Sequence, residues 1–234
     1  MVEMVTMKVE REVRLLSLVD VLEPLSEEEL EEVATRCRDI RLDADEEFFG
    51  SEEYDGGLFL LEEGHLAIYK LSSSGTQLTI ALHSAGAMFP ALRLRGLYVK
   101  ALEPSVVAFM NREVLEDFLQ RNPQMAARLI DLLAEQLCLM DTRLSDVIHK
   151  DVRSRLASFL LWLISEEGVV VGSGDYVVPY RYTHAQLGTI IGAKRVAVTR
   201  AFGFLQDEGV VQLLRRRIHV KNLGLLRRIA EQEH

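Results

Sequence analysis

Cysteine is nearly missing from this chain: 234 residues hold two, Cys37 and Cys138. They stand too far apart to read as a metal-ligand cluster and are expected to be buried thiols in a reducing cytoplasm. No apolar run approaches about 18 residues, so no membrane-spanning helix and no membrane partner are expected. The opening Met1-Val-Glu-Met lacks the charged-then-apolar layout of an export signal, which leaves a cytoplasmic location as the expectation. No His-x-His pair occurs. Only His65 with Glu62 or Glu63 approaches the two-histidine-plus-carboxylate set of metal-dependent oxygenases, so neither an enzyme nor a metal or other cofactor is expected. Repeats and low-complexity tracts are also lacking.

Charge is present, and it is unevenly spread. The chain carries 27 Lys/Arg and 36 Asp/Glu, net −9. Residues 1–150 hold 15 basic and 28 acidic side chains, whereas residues 151–234 hold 12 and 8. From Arg181 to Arg228 ten basic residues face two acids, Asp207 and Glu208. A basic module on an acidic body is the footprint expected when one end meets phosphate.

Inside that basic stretch the pattern is a winged helix-turn-helix. Thr183 is placed to cap a helix carrying Leu187, Ile190 and Ile191 inward. Gly192 breaks it, and a second helix is expected from Ala193, with Val196, Val198, Phe202 and Leu205 as its apolar positions. Gly209 ends that helix. Val210–Leu214 and Ile218–Lys221 then alternate like a hairpin across Arg215, Arg216 and Arg217. A helix opening with Lys194, Arg195, Val196, Thr199 and Arg200 suits the major groove, where arginine forks onto guanine O6 and N7. Thr183, His184 and the wing arginines complete the expected DNA-contacting set. The bland alternative is a small helical packing module with a solvated basic face.

Upstream, Leu25–Arg38 reads as a helix capped by Ser26 and followed by acids that suit its dipole. From Ile40 to Met110 the period changes. Leu58–Leu61, His65–Leu71, Thr76–Leu82 and Val106–Met110 are short aliphatic runs divided by Glu62-Glu63-Gly64, Ser72–Gly75 and His83–Gly86, a spacing that suggests an antiparallel roll. Arg112–Arg121 reads as a short amphipathic helix. Asn122-Pro123 opens a long one reaching His149, roughly 40 Å at 1.5 Å per residue. Along it Ile130, Leu133, Leu137, Met140, Leu144 and Val147 recur by threes and fours as a coiled-coil seam. The stripe can pack partly on the chain's own roll. Its regularity favours pairing with a second copy, which would set two recognition helices about 34 Å apart on a palindrome.

The expected class is therefore α+β. An N-terminal antiparallel β-roll, resembling a cyclic-nucleotide-binding jelly roll, occupies 1–121. A dimerisation helix occupies 122–150, and a winged helix-turn-helix occupies 151–234.

These residues together resemble the CRP/FNR family of bacterial transcription regulators over nearly the whole chain. From Asp151 to Val220, Asp-Val-Arg-Ser-Arg-Leu-Ala-Ser-Phe-Leu-Leu and Lys-Arg-Val-Ala-Val-Thr-Arg resemble the NtcA branch of cyanobacterial nitrogen regulators. Arg195 and Arg200 keep the arginines of the cyclic-AMP branch, while Val196 stands in place of its glutamate. The resemblance implies a GTA-like half-site in palindromic DNA, a homodimer, and RNA polymerase as partner.

The sensor departs from the pattern. Gly86-Ala-Met88-Phe89-Pro90-Ala91 stands where cyclic-nucleotide binders have Gly-Asp-Phe-Ile-Gly-Glu, so Pro90 brings no N–H and Ala91 no ribose-binding carboxylate. The following loop is shortened to Leu92-Arg93-Leu94, and Arg95-Gly96 replaces Arg-Ser. In the NtcA branch 2-oxoglutarate is held by turn amides, a loop arginine and a helical arginine; here the helical positions fall on Gln136 and Asp141. The residues to examine as an effector pocket are thus Met88, Phe89, Pro90, Ala91, Arg95, Gln136 and Asp141. Iron–sulfur members need an N-terminal cysteine cluster, which is missing before Cys37, and haem members need a placed histidine, for which His65 and His83 are available. Two readings stand: a DNA-binding regulator with a degenerate effector pocket, working without cAMP, and a sensor strictly dependent on 2-oxoglutarate or another small anion.

Overall fold

The computed structural model describes residues 20–49, 54, 56–91, 97–171 and 175–232. After a 3₁₀ turn at Asp20–Leu22, α1 (Glu27–Arg36) starts at a capping box. The Ser26 hydroxyl accepts from the Glu29 N–H, and the Glu29 carboxylate accepts from the Ser26 N–H at 2.9 Å. The helix stops at Arg36, two residues before the sequence pattern suggests, because Arg38 opens β1 (Arg38–Leu42) and pairs with Phe109.

Seven more strands build the N-terminal roll: β2 (Glu47–Phe49), β3 (Gly57–Glu63), β4 (His65–Leu71), β5 (Gln77–Ser84), β6 (Met88–Ala91), β7 (Leu97–Ala101) and β8 (Ser105–Met110). They form two four-stranded sheets, ordered β1-β8-β3-β6 and β2-β7-β4-β5. β5 runs through His83 and Ser84, which the sequence pattern assigns to a turn. Four strands, β1, β2, β6 and β7, do not stand out as strands in the sequence.

Strand β3 explains how the roll is held. Its residues alternate between two cores, as a pleat requires. Leu58 and Leu60, with Met88, Ala108 and Met110, face the helices and meet Leu22, Val33, Phe118 and Met125. Phe59 and Leu61 face inward, against Leu66, Phe89, Ala101, Val107 and Phe109. A strand buried on both faces reads as a continuous apolar run, which hides its period.

Helix α2 (Arg112–Arg121) is capped by Asn111 and leads through Asn122 into α3 (Pro123–His149). Both spans match the sequence reading. An ion-pair ladder of Glu32, Arg36, Asp117 and Arg121 ties α2 to α1. The face of α3 that meets the helical core carries Met125, Leu129 and Leu132. The expected seam is a different stripe: Ile130, Leu133, Leu137, Met140, Leu144 and Val147 are each 48% to 68% exposed. Cys138 is exposed on the same helix and is not the buried thiol expected, whereas Cys37 is half-buried and packs against the helical core. Burial, followed by the nearby Glu62 and Asp39 carboxylates, pushes the Cys37 thiol up to about 12.

The second part comprises α4 (Val152–Glu167), β9 (Val169–Val171), β10 (Asp175–Val178), α5 (His184–Ile191), α6 (Arg195–Asp207), β11 (Val211–Leu214), β12 (Arg217–Val220) and α7 (Leu223–Ala230). Its sheet runs β11-β12-β10-β9. The chain divides into two compact units, Met1–Thr76 with Ile80–Cys138 and Gln77–Thr79 with Leu139–His234, so the division falls within α3. No helix among the described residues is long and apolar enough to cross a membrane.

Candidate nucleic-acid interface

The C-terminal unit builds its exposed helix from local rules. Thr183 caps α5 reciprocally with Gln186: its hydroxyl accepts from the Gln186 N–H at 3.2 Å, and the Gln186 side-chain Oε1 accepts from the Thr183 N–H at 2.8 Å. Gly192 closes α5 in the left-handed region at φ 64°, where a Cβ is disfavoured. Gly188 has a different reason to be glycine, since a Cβ there would lie 2.6 Å from the Ala193 carbonyl oxygen. That close approach brings α6 tightly across α5.

Helix α6 begins at Arg195, two residues later than the sequence suggests. Ala193 belongs to the turn, with its N–H on the Gly188 carbonyl, and Lys194 is the N-cap residue. Lys194 makes no side-chain cap, so the positive end of the helix dipole is left open beside a basic side chain. Val198, Ala201, Phe202 and Leu205 are buried. Val196, an inward position by its apolar character, is instead 62% exposed. Positions 196 and 198 are two apart, about 200° around a helix, and cannot both face one core. Exposed together are Arg195, Val196, Thr199 and Arg200, with Lys194 ahead of them.

The Thr199 hydroxyl donates to the Arg195 carbonyl at 3.0 Å and lies 3.0 Å from His184 Nδ1, which donates to it in that arrangement. His184 is half-buried against Phe202, with ring centroids 5.2 Å apart. Burial, then the Arg195 charge, lower its pKa from the usual 6.5. The imidazole therefore serves as a neutral link between the two helices, beneath the exposed basic face.

The wing is a tight hairpin. Leu214 pairs with Arg217, so Arg217 is a strand residue and the loop is only Arg215-Arg216. Both loop residues have positive φ, 51° and 65°. Two-residue hairpins favour this conformation and normally fill it with Asn and Gly. All three arginines are exposed.

The expected effector residues are scattered. In β6, Met88 faces the helical core and Pro90, of the same parity, is exposed, whereas Phe89 and Ala91 point into the roll. The four side chains therefore do not line one cavity. Inside the roll, beside Phe89, aromatic rings pack against one another. Phe59 lies 5.3 Å from Phe89, 5.1 Å from Phe109 and 5.4 Å from Phe48, while Tyr54 is 5.0 Å from Phe109. His83 stacks on Phe89 at 4.8 Å. Gln136 is half-buried and Asp141 exposed on α3, and Arg95 lies outside the described residues. His65 Nδ1 is 2.5 Å from Glu103, a partner the sequence does not suggest. Among the described residues no group of three His, Cys, Asp or Glu side chains is placed to hold a metal ion.

A β-roll, a long helix and a winged helix-turn-helix define the class: a DNA-binding regulator with a cyclic-nucleotide-binding type of sensor fold. Residues 154–229 match the Crp-like helix-turn-helix domain and residues 39–122 match the cyclic nucleotide-binding domain. The chain is 26% identical over 180 residues to the global nitrogen regulator of Nostoc sp., covering 74% of this chain and 80% of that protein. It is 28% identical over 178 residues to the cyclic AMP receptor protein of Thermus thermophilus, covering 74% and 79%. In fold it is similar to a CooA mutant from Carboxydothermus hydrogenoformans (TM-score 0.75, 20% identity, 92% of this chain and 95% of that one). FixK2 from Bradyrhizobium japonicum is also similar in fold (TM-score 0.73, 22% identity, 84% and 98%). The chain belongs to the CRP/FNR family, whose members are transcription regulators and not enzymes.

Proposed function

We propose that the protein acts as a homodimer that reads a palindrome of GTA-like half-sites and holds its DNA-competent state without cyclic AMP. One observation carries this reading: α6 turns a continuous basic face to solvent, with Arg195, Val196, Thr199 and Arg200 outward and its apolar positions buried. Arg195 and Arg200 read bases, and Lys194, Arg215, Arg216 and Arg217 hold phosphates. Thr183 and His184, at the start of α5, lie against the backbone. The exposed seam on α3 supports self-association, since six large apolar side chains at coiled-coil spacing otherwise stay in water. RNA polymerase is the expected protein partner and the cytoplasm the expected location.

Independence from cAMP is supported by the roll. Pro90 and Ala91 remove the ribose contacts, and Phe89, next to Pro90, packs on Phe59 within the aromatic cluster of the roll. A ligand shifts a two-state protein only through differential affinity for the two states. Dependence on 2-oxoglutarate is the second reading, supported by the nitrogen-regulator similarity and weakened by Gln136, which lacks the fork and charge of arginine. The base-reading assignment is tested with Arg195→Ala. Discrimination between a GTA palindrome and scrambled DNA is expected to fall by about 1–3 kcal/mol per half-site while weak nonspecific binding persists. Unchanged discrimination removes Arg195 from the reading set.

A further inference from the structure

The C-terminal unit holds a cavity of about 160 Å³ between the last turns of α3, the middle of α4 and the end of α5. Leu139, Val147, Phe159, Ile190 and Ile191 give it apolar walls, and Trp162 adds an aromatic one. Three charged residues line it: Arg143, Arg155 and Asp146. Asp146 is already committed, with Lys150 Nζ 2.7 Å from its carboxylate and donating also to Ser158 Oγ at 2.9 Å. Arg143 and Arg155 thus bring two guanidinium groups to one cavity.

Each guanidinium is held in a way that suits an incoming anion. Arg143 lies over the face of Trp162, 4.9 Å from the ring centroid, and Trp162 in turn stacks on Phe159 at 5.6 Å. Burial lowers the Arg143 pKa, so its surroundings disfavour the cation as they stand. Arg155 Nε is buried with no hydrogen-bond partner among the described residues. Such a donor is costly unless something accepts from it. Arg155 also borders the helix-turn-helix, since a Cβ on Gly192 would lie 3.7 Å from its Nη1.

We propose that this cavity is a binding site for a small carboxylate carrying a compact apolar body. The carboxylate accepts from Arg143 and Arg155, where guanidinium geometry favours a forked, charge-assisted contact. The body lies between Trp162 and the Ile190–Ile191 wall. Volume sets the size, because a dry cavity of about 150 Å³ accommodates benzene. The site is distinct from the roll interior. Binding does not rest on the regulator reading; only an effect of binding on DNA affinity would.

Trp162 is the chain's one tryptophan, so tryptophan emission reports on this cavity alone. The test is titration of the full-length protein with sodium benzoate at constant ionic strength, read by Trp162 fluorescence and by calorimetry. Benzyl alcohol serves as the neutral match. The expected result is saturable binding of one benzoate per chain, with the alcohol at least tenfold weaker. Arg155→Gln is expected to weaken benzoate at least tenfold, with Arg155→Lys intermediate. Should Arg155→Gln melt prematurely, Arg143→Gln replaces it, and the benzoate-to-alcohol ratio in wild type needs no variant. Three results overturn the proposal: no saturable benzoate signal by either method, equal affinity for the alcohol, or benzoate affinity unchanged in a folded arginine variant.

Discussion

Replacing Arg215-Arg216 with Asn-Gly separates stability from DNA affinity at one turn. Both arginines sit at positive φ, and left-handed backbone costs an ordinary side chain roughly 1 kcal/mol or more. Asparagine tolerates that region and glycine occupies it freely, although glycine returns about 0.5–1 kcal/mol through its freer unfolded chain. The double variant is therefore expected to gain about 1 kcal/mol of stability in the C-terminal unit. It also removes two cations per chain, four in a dimer. If each touches a phosphate, the slope of log affinity against log salt becomes shallower by about 0.9 for every phosphate no longer neutralised, or up to roughly 3.6. Urea denaturation gives the first quantity, and operator binding across a salt series gives the second. A variant no more stable than wild type refutes the strain argument. An unchanged salt slope removes the wing from the set of phosphate-binding elements.

Leu137→Glu places a charge at the centre of the α3 seam, where a partner helix would bury it opposite its own symmetry mate; sedimentation is expected to show monomers and loss of tight palindrome binding. A stable dimer in that variant means that the seam pairs elsewhere. His184 supplies a pH dependence. Its folded pKa is lowered, so between that value and the usual 6.5 the unfolded chain binds more protons, and stability rises with pH across that window and is lost on acidification. His184→Gln is expected to flatten this part of the stability profile, and an unaltered slope assigns it to another group.

Much of the C-terminal unit is legible in the sequence because its signals are local. Thr183 with Gln186, Gly192 and Gly209 punctuate the chain at or next to the helix ends, and Pro123 marks the start of α3. The helix spans Arg112–Arg121 and Pro123–His149 follow from period and caps in the same way. The roll is less legible because its strands are short and paired across long separations. β1 meets β8, and β6 meets β3, through registers no local pattern encodes. Val196 reads as core because valine is apolar, yet its spacing from Val198 already argues against shared burial. The cavity around Arg143, Arg155 and Trp162 is invisible in the sequence, since its lining comes from three helices and no motif joins them. The aromatic cluster inside the roll is equally hidden, because Phe48, Tyr54, Phe59, Phe89 and Phe109 meet only once both sheets have formed.

The central claim is that operator binding needs no cyclic nucleotide. Ligand-stripped protein, titrated against a labelled GTA palindrome at fixed salt and followed by anisotropy, tests it directly when cAMP and 2-oxoglutarate are added in separate series. The account predicts specific binding by the stripped protein, with either compound changing the affinity by less than tenfold. Tightening by more than tenfold, equivalent to about 1.4 kcal/mol, by either compound would contradict it and would establish a working effector pocket.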